Sequence, residues 1–245
     1  MSPDHRPLII GISGVSSSGK TTLARLLRDI FPGTFILHED DFYKTDSEIP
    51  VKNGFQDWDC IEAIDLSGFE TALSYIKEHG KSPPNFLSKE DQNSVGETDV
   101  DQSVIDTCKT KTSLQRKDKS NIPIAIIDGF LLYSEGMKNI RELFDVKLFL
   151  RTSYKTAKTR REARSGYVTL EGFWEDPPGY VDKVVWPNYV EDHAFLFKNG
   201  DVEGAVDKRA CESLEIQVMP QSGEENMTKC LEWACAVVEE ALDDI

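Results

Sequence analysis

The chain has 245 residues, 39% of them hydrophobic, which suffices for one substantial buried core and favours a single domain over residues 1–245. A formal net charge of −15 argues against a protein that grips nucleic acid by neutralising phosphates, and no segment approaches the ~20 apolar residues of a membrane span. Five cysteines, an odd number without a C-x-x-C pair, together with an N-terminus lacking signal-peptide features, point to reduced thiols in a cytosolic or nuclear protein.

In chain order, Leu8 to Ser13 reads as a first buried parallel strand. It runs into Gly14-Val15-Ser16-Ser17-Ser18-Gly19-Lys20-Thr21, which meets G-x-x-x-x-G-K-[ST] at every fixed position. Glycines in that spacing let backbone N–H groups point inward around phosphate oxygens, Lys20 adds positive charge, and the Thr21 hydroxyl can join a Mg²⁺ shell. Thr22 continues into a helix on which Leu23, Leu26, Leu27 and Ile30 share a face, with Gly33 as a stop. The positive end of that helix dipole faces the same phosphates.

Thr34 to His38 reads as a second strand, followed by the acidic run Glu39-Asp40-Asp41 and then Phe42-Tyr43-Lys44. Open α/β sheets bind ligands at the carboxyl ends of their strands, so a carboxylate here can accept the proton of an attacking hydroxyl and contact Mg²⁺. Three adjacent acids equally describe a solvated turn. Trp58-Asp59 combines an indole face for a heteroaromatic ring with a carboxylate that can take two hydrogen bonds from a vicinal diol, although a lone Trp is more often core.

Residues 81–121 are polar and open on Ser82-Pro83-Pro84, as expected of a peripheral, partly mobile insertion. A third strand is expected over Ile122 to Asp128, where Asp128 can reach a metal as a Walker B carboxylate or simply turn the chain into Gly129. A fourth covers Asp145 to Leu150. The 151–180 lid region begins with a helical pattern near Thr152 that carries Lys155, Lys158, Arg160, Arg161 and Arg164, with Arg160 and Arg164 one turn apart on one face. Such a basic cluster in so acidic a chain favours a lid over phosphates, the alternative being a charged helix face in water. In the variable stretch 201–225, Leu214, Ile216 and Val218 alternate as an edge strand can. A last helix from Asn226 places Met227, Cys230, Leu231, Ala234, Val237, Val238 and Ala241 on one face, which makes Cys230 a packing residue. Strands alternating with helices imply an α/β fold, a parallel central sheet covered on both faces.

Taken together, these motifs resemble the nicotinamide riboside kinases, within the uridine-kinase-like group of P-loop small-molecule kinases. The matching text is Gly11 to Thr22, the run from Glu39 to Lys44, Trp58-Asp59 with Glu62-Ala63, Ile127-Asp128-Gly129-Phe130-Leu131-Leu132, Arg160-Arg161 with Arg164, Pro178-Gly179-Tyr180 and Trp186-Pro187. It spans most of residues 8–200 and weakens in the 81–121 insertion and after Asp201. The resemblance implies a three-layer P-loop NTPase sandwich with an arginine-bearing lid, and phosphorylation of the ribose 5′-hydroxyl of nicotinamide riboside, and of nicotinic acid riboside, with ATP as donor and Mg²⁺.

In that family pattern Asp40 is the general base and, with Thr21 and Asp128, a metal neighbour. Asp41, Tyr43, Trp58, Asp59, Arg161 and Tyr167 face the riboside, Trp58 stacking on the pyridine ring and Asp59 clamping the 2′- and 3′-hydroxyls. Gly14 to Thr22 with Arg160 and Arg164 serve ATP. Members of the human type carry Tyr where this chain has Trp58, and have a shorter middle region. A pyridinium is drawn to an electron-rich indole by about 0.5–2 kcal/mol, whereas uracil carries no such charge. A uridine/cytidine kinase is the nearest alternative. A P-loop switch without a small-molecule acceptor is a second, opposed by the lack of an Asn-Lys-x-Asp motif after a strand.

Overall fold

Aliphatic runs bounded by turn residues form the central sheet of the computed structural model, which describes residues 6–90, 98–115, 122–164, 166–169, 172–221, 224 and 226–245. Strands β1 (Leu8–Gly14), β2 (Thr34–His38), β5 (Ile124–Asp128), β6 (Val146–Leu150) and β9 (Ile216–Val218) lie in the order β2-β5-β1-β6-β9, every neighbouring pair parallel. Every residue of β1, β5 and β6 is buried, as a parallel sheet covered on both faces requires. Alternation along β1 sends Leu8, Ile10 and Ile12 to one face and Ile9 to the other.

The first face packs on α1 (Lys20–Ile30), through Leu23, Leu27 and Ile30, and on α8 (Met227–Asp243), through Cys230, Leu231, Ala234 and Val238. Against the opposite face lies α2 (Leu66–His79), through Phe69, Leu73 and Ile76. The result is the α/β three-layer sandwich expected from the sequence, with Cys230 in the core.

Three features differ from expectation. The third strand begins at Ile124 rather than Ile122, because Pro123 has no N–H for the ladder, although its carbonyl accepts from Leu8 N at 2.9 Å. Residues 102–115 of the insertion form helix α3 (Gln102–Gln115), which lays buried Cys108 and half-buried Val104 and Ile105 against α1 and α8. Part of the insertion, 91–97 and 116–121, lies outside the described residues. Finally, lid helix α5 (Tyr154–Glu162), capped by Ser153 accepting from Thr156 N, ends before Arg164. Arg160 and Arg164 are therefore not one turn apart on a helix.

The suspected edge strand is β9, which begins only after Leu214, at Ile216, and pairs with β6. Between α5 and α6 (Trp186–His193), strands β7 (Tyr167–Val168) and β8 (Phe173–Trp174) form an antiparallel hairpin. A second hairpin joins β3 (Val51–Lys52) to β4 (Phe55–Gln56).

The start of the phosphate loop depends on one glycine. Gly14 has φ +141°, and a Cβ there would lie 2.2 Å from the Leu150 carbonyl oxygen on the neighbouring strand. Gly14→Ala is expected to lower unfolding free energy by at least about 1–3 kcal/mol, because neither the rigid carbonyl nor the backbone conformation can yield cheaply. Urea denaturation checks this, and an unchanged midpoint would contradict the close β1–β6 approach.

Candidate active site

The carboxyl ends of β1, β2 and β5 converge on a single cavity. Its floor is the phosphate loop, where Ser16, Ser17, Gly19, Lys20, Thr21 and Thr22 line the opening, while Gly14, buried Val15 and buried Ser18 form the backbone behind. Ser17 (φ +65°) and Gly19 (φ +101°) take left-handed conformations that curl the loop into the start of α1. Lys20 Nζ donates to the carbonyls of Gly14 at 2.9 Å and Val15 at 3.1 Å, which holds the ammonium across the loop. Desolvation lowers the Lys20 pKa, and the charges of Asp40 and Asp128 oppose that shift.

Strand register builds the acidic corner. His38 ends β2 directly opposite Asp128 at the end of β5, and His38 Nδ1 meets Asp128 Oδ1 at 2.5 Å while Thr21 Oγ1 donates to Asp128 Oδ2 at 2.6 Å. Burial pulls the His38 pKa down, but the charge and hydrogen bond of Asp128 prevail and raise it to about 9. The same partnership, with Thr21 and Lys20, overcomes the burial of Asp128 and holds its carboxyl below the ordinary value. His38 and Asp128 therefore form a buried ion pair.

Asp40 stands in a short 3₁₀ turn over Glu39–Phe42, directly after β2. Burial, followed by the charges of Glu90 and Asp128, raises its pKa to about 7, against the opposing pull of Lys20 and His38. A carboxylate poised near neutrality beside a phosphate loop is suited to proton abstraction. Glu39 points the other way, with Oε2 accepting from Leu131 N at 3.1 Å under Gly129.

Thr21, Asp40 and Asp128 offer hard oxygen donors only, the chemistry that suits Mg²⁺. Among the described residues no three His, Cys, Asp or Glu side chains converge as an all-protein metal cage. A cation held here by these oxygens would complete its shell with phosphate and water, the usual mode for Mg²⁺ on a nucleotide.

Aromatic side chains form the opposite end of the cavity. Trp58 is buried, edge-on to Tyr43 with centroids 5.3 Å apart and tilted 50° to Trp174 at 5.6 Å, and Phe130 and Tyr167 complete the lining. Beside them Arg161, only 7% exposed, forks onto Asp59 at 2.7 and 3.0 Å and onto Asp176 at 2.6 and 3.2 Å. Its Nη1 also donates to Ser16 Oγ at 2.9 Å, and its guanidinium lies over the Tyr167 and Tyr180 rings. Burial raises the Asp59 pKa, and Arg161 restrains the rise. With Arg160 Nη1 reaching the Ser17 carbonyl at 3.4 Å, the lid is docked on the phosphate loop.

No protein-family model matches the chain. Nicotinamide riboside kinase of Schizosaccharomyces pombe is 44% identical to it over 219 residues, covering 89% of this chain and 90% of the relative. The chain belongs to the nicotinamide riboside kinase family. The Saccharomyces cerevisiae nicotinamide riboside kinase is 38% identical over 93% of this chain and 94% of its own length. Human nicotinamide riboside kinase 1 is 34% identical over 76% of each.

Most of the residues singled out from the nicotinamide riboside kinase pattern meet in this one cavity: Lys20, Thr21, Asp40, Tyr43, Trp58, Asp59, Asp128, Arg161, Arg164 and Tyr167 all line it. Asp41 does not. Its Oδ1 accepts from the backbone of Lys89 at 2.6 Å and Glu90 at 3.1 Å, so it anchors the start of the insertion instead of facing a substrate. Arg160 is exposed and touches the loop only from outside. Arg164 donates to the Tyr167 hydroxyl at 3.0 Å. The carboxylate of Asp59, expected to be open to a diol, is already engaged by Arg161 through both oxygens.

His38, Phe130, Trp174 and Asp176 were not expected at the site. His38 had a visible signal, since it ends a strand immediately before the acidic run. For Trp174, the aromatic pair Phe173-Trp174 between Gly172 and Pro177 is the mark of a short hairpin strand. Nothing local distinguishes Asp176 from any surface carboxylate.

Proposed function

We propose that this chain transfers the γ-phosphoryl group of ATP to the ribose 5′-hydroxyl of nicotinamide riboside, producing nicotinamide mononucleotide and ADP for NAD biosynthesis, and that nicotinic acid riboside is accepted as well. The observation that carries this reading is one cavity with a phosphate loop at one end, an aromatic box with a diol-reading ion pair at the other, and Asp40 between them.

Asp40 accepts the 5′-hydroxyl proton as the new O–P bond forms and the bond from Pγ to the ADP oxygen breaks. Lys20 and the loop N–H groups hold the phosphates, and Arg164 meets charge moving onto the bridging oxygen. Mg²⁺, held through Thr21 and Asp128 with Asp40 adjacent, would supply charge neutralisation on the phosphates. The Trp58 face takes the cationic ring. The Asp59–Arg161 pair offers an acceptor and donor face to the 2′- and 3′-hydroxyls. All five cysteines are free, and four of them are buried, in keeping with a reducing cytosolic or nuclear setting.

Given MgATP and an equimolar mixture of nicotinamide riboside, nicotinic acid riboside, uridine and cytidine, the protein is expected to make the pyridine mononucleotides first, as identified by mass. Preferential uridine or cytidine monophosphate would overturn the substrate while leaving the phosphoryl-transfer machinery in place. Hydrolysis without any monophosphate would favour a nucleotide switch.

A further inference from the structure

We infer that Asn188, together with Asp57, is a positioning residue that aims the Asp59 carboxylate, and so sets how sharply the enzyme separates a riboside from its 2′-deoxy analogue; this rests on the riboside reading above. Asp57, Trp58 and Asp59 follow β4 without belonging to a strand or helix, and all three are buried. Buried backbone outside a ladder must find its hydrogen-bond partners elsewhere. For Asp59 both come from one pair of side chains. Its N–H donates to Asp57 Oδ1 at 3.1 Å, and its carbonyl accepts from Asn188 Nδ2 at 3.1 Å.

The pair is itself locked. Asn188, in the first turn of α6, also brings Nδ2 to 2.8 and 2.9 Å from the two Asp57 carboxylate oxygens, while its Oδ1 accepts from Lys52 Nζ on β3 at 2.7 Å. Acceptors stand on one side of the amide and an ammonium on the other, so a single orientation of Asn188 satisfies all of them. The neighbouring peptides are pinned as well, Asp57 N donating to the Pro50 carbonyl at 2.7 Å and Trp58 N to the Tyr180 hydroxyl at 2.9 Å.

The main chain of Asp59 is thus fixed from β3 and α6, and only its side-chain torsions remain for Arg161 to set through two hydrogen bonds. Neither Asn188 nor Asp57 is in the cavity lining, so both act on a bound riboside through Asp59. A small misplacement of that carboxylate weakens its bonds to the ribose hydroxyls without touching the phosphate loop.

Three variants separate aiming from bracing. Asp57→Asn alone sets an amide against an amide, Asn188→Asp alone sets a carboxylate against a carboxylate, and the two together restore a donor–acceptor pair with the roles exchanged. In steady-state kinetics with nicotinamide riboside and its 2′-deoxy analogue, the unmodified enzyme should favour the riboside in kcat/KM. Each single variant should shrink that preference about tenfold, because the riboside loses a well-aimed hydrogen bond that the deoxy compound never made. KM for ATP should stay within about twofold of the parent. The double variant should recover at least about threefold of the lost preference, the Asp59 carbonyl being the contact it does not regain.

A brace would lower both substrates together, so an unchanged preference in the single variants would overturn the inference. Asp57→Asn removes a buried charge and decides the matter if Asn188→Asp does not fold. A double variant no better than the singles, or unable to fold, would also overturn it, since the pair would then hold the chain and not the clamp. Equal use of the two compounds by the unmodified enzyme would leave no clamp to aim and overturn it too. Phosphorylation of neither compound by the unmodified enzyme sinks the substrate reading, whereas normal riboside turnover with an unmoved preference sinks only this inference.

Discussion

Asp40→Asn is expected to fold, bind nucleotide and lose about 10²–10⁴-fold in kcat. The substitution is isosteric but removes the only feature a general base needs, a carboxylate that can take a proton. Asp40 is ordinarily ionised far below neutrality, yet burial and the nearby charges of Glu90 and Asp128 hold its pKa at about 7. Activity in the unmodified enzyme should therefore fall as pH drops through that region. A bound divalent cation favours the charged form, so the acid limb with MgATP present lies at or below about 7.

Stability should move in the opposite sense. Between the unfolded value of 3.8 and the folded value of about 7, the folded state binds more protons than the unfolded state, so stability declines as pH rises across that window. Above it the buried charge is fully penalised. Asp40→Asn removes that penalty, and at pH 8 its melting temperature should equal or exceed the parent's. A kcat near that of the parent would remove Asp40 from its role as base, and a large fall in melting temperature would mean that the carboxylate is structural.

Arg161→Ala is expected to cost about 3–5 kcal/mol of folding free energy, in addition to activity. Arg161 and Asp59 are both nearly inaccessible, at 7% and 5% exposure, and Asp176 shares the same guanidinium. Removing the cation strands two carboxylates in a site where burial already raises the Asp59 pKa. Because the pair spans the lid and the segment after β4, the loss also undocks α5 from Ser16.

Arg161→Lys should not rescue it, since a single ammonium cannot present two bidentate forks at once. The double variant Arg161→Ala with Asp59→Asn should recover part of the loss, because one of the stranded charges is gone. Urea unfolding of the two single variants and the double measures that coupling. An Arg161→Ala protein within about 1 kcal/mol of the parent would show that water reaches the site and that the network carries little.

The phosphate loop, the first strands, helix α1 and helix α8 were all legible from short windows of the chain. Each depends on spacing between near neighbours: glycines flanking a Lys-Thr pair, aliphatic runs, or an apolar face repeating every three or four residues. The expectation for Asp128 rested on its place at the end of such a run. The placement of Asp41 and the one-turn spacing of Arg160 and Arg164 differ for the complementary reason, because local pattern states which residues are present but not which way a short turn or a helix end aims them. The sequence of helix α3 is polar apart from Val104, Ile105, Cys108 and Leu114, and only the neighbouring α1 and α8 give the first three of these an apolar surface to pack on.

Family and chemistry were therefore determined by the sequence itself, through motifs whose physics is complete within a dozen residues. Tertiary structure alone decided the partnerships: His38 with Asp128 across 90 residues, Arg161 with Asp59 across 102, and Trp174 against Trp58. Those contacts follow from strand register and lid docking, which are fixed by burying a whole sheet rather than by any local run, so no spacing along the chain encodes them.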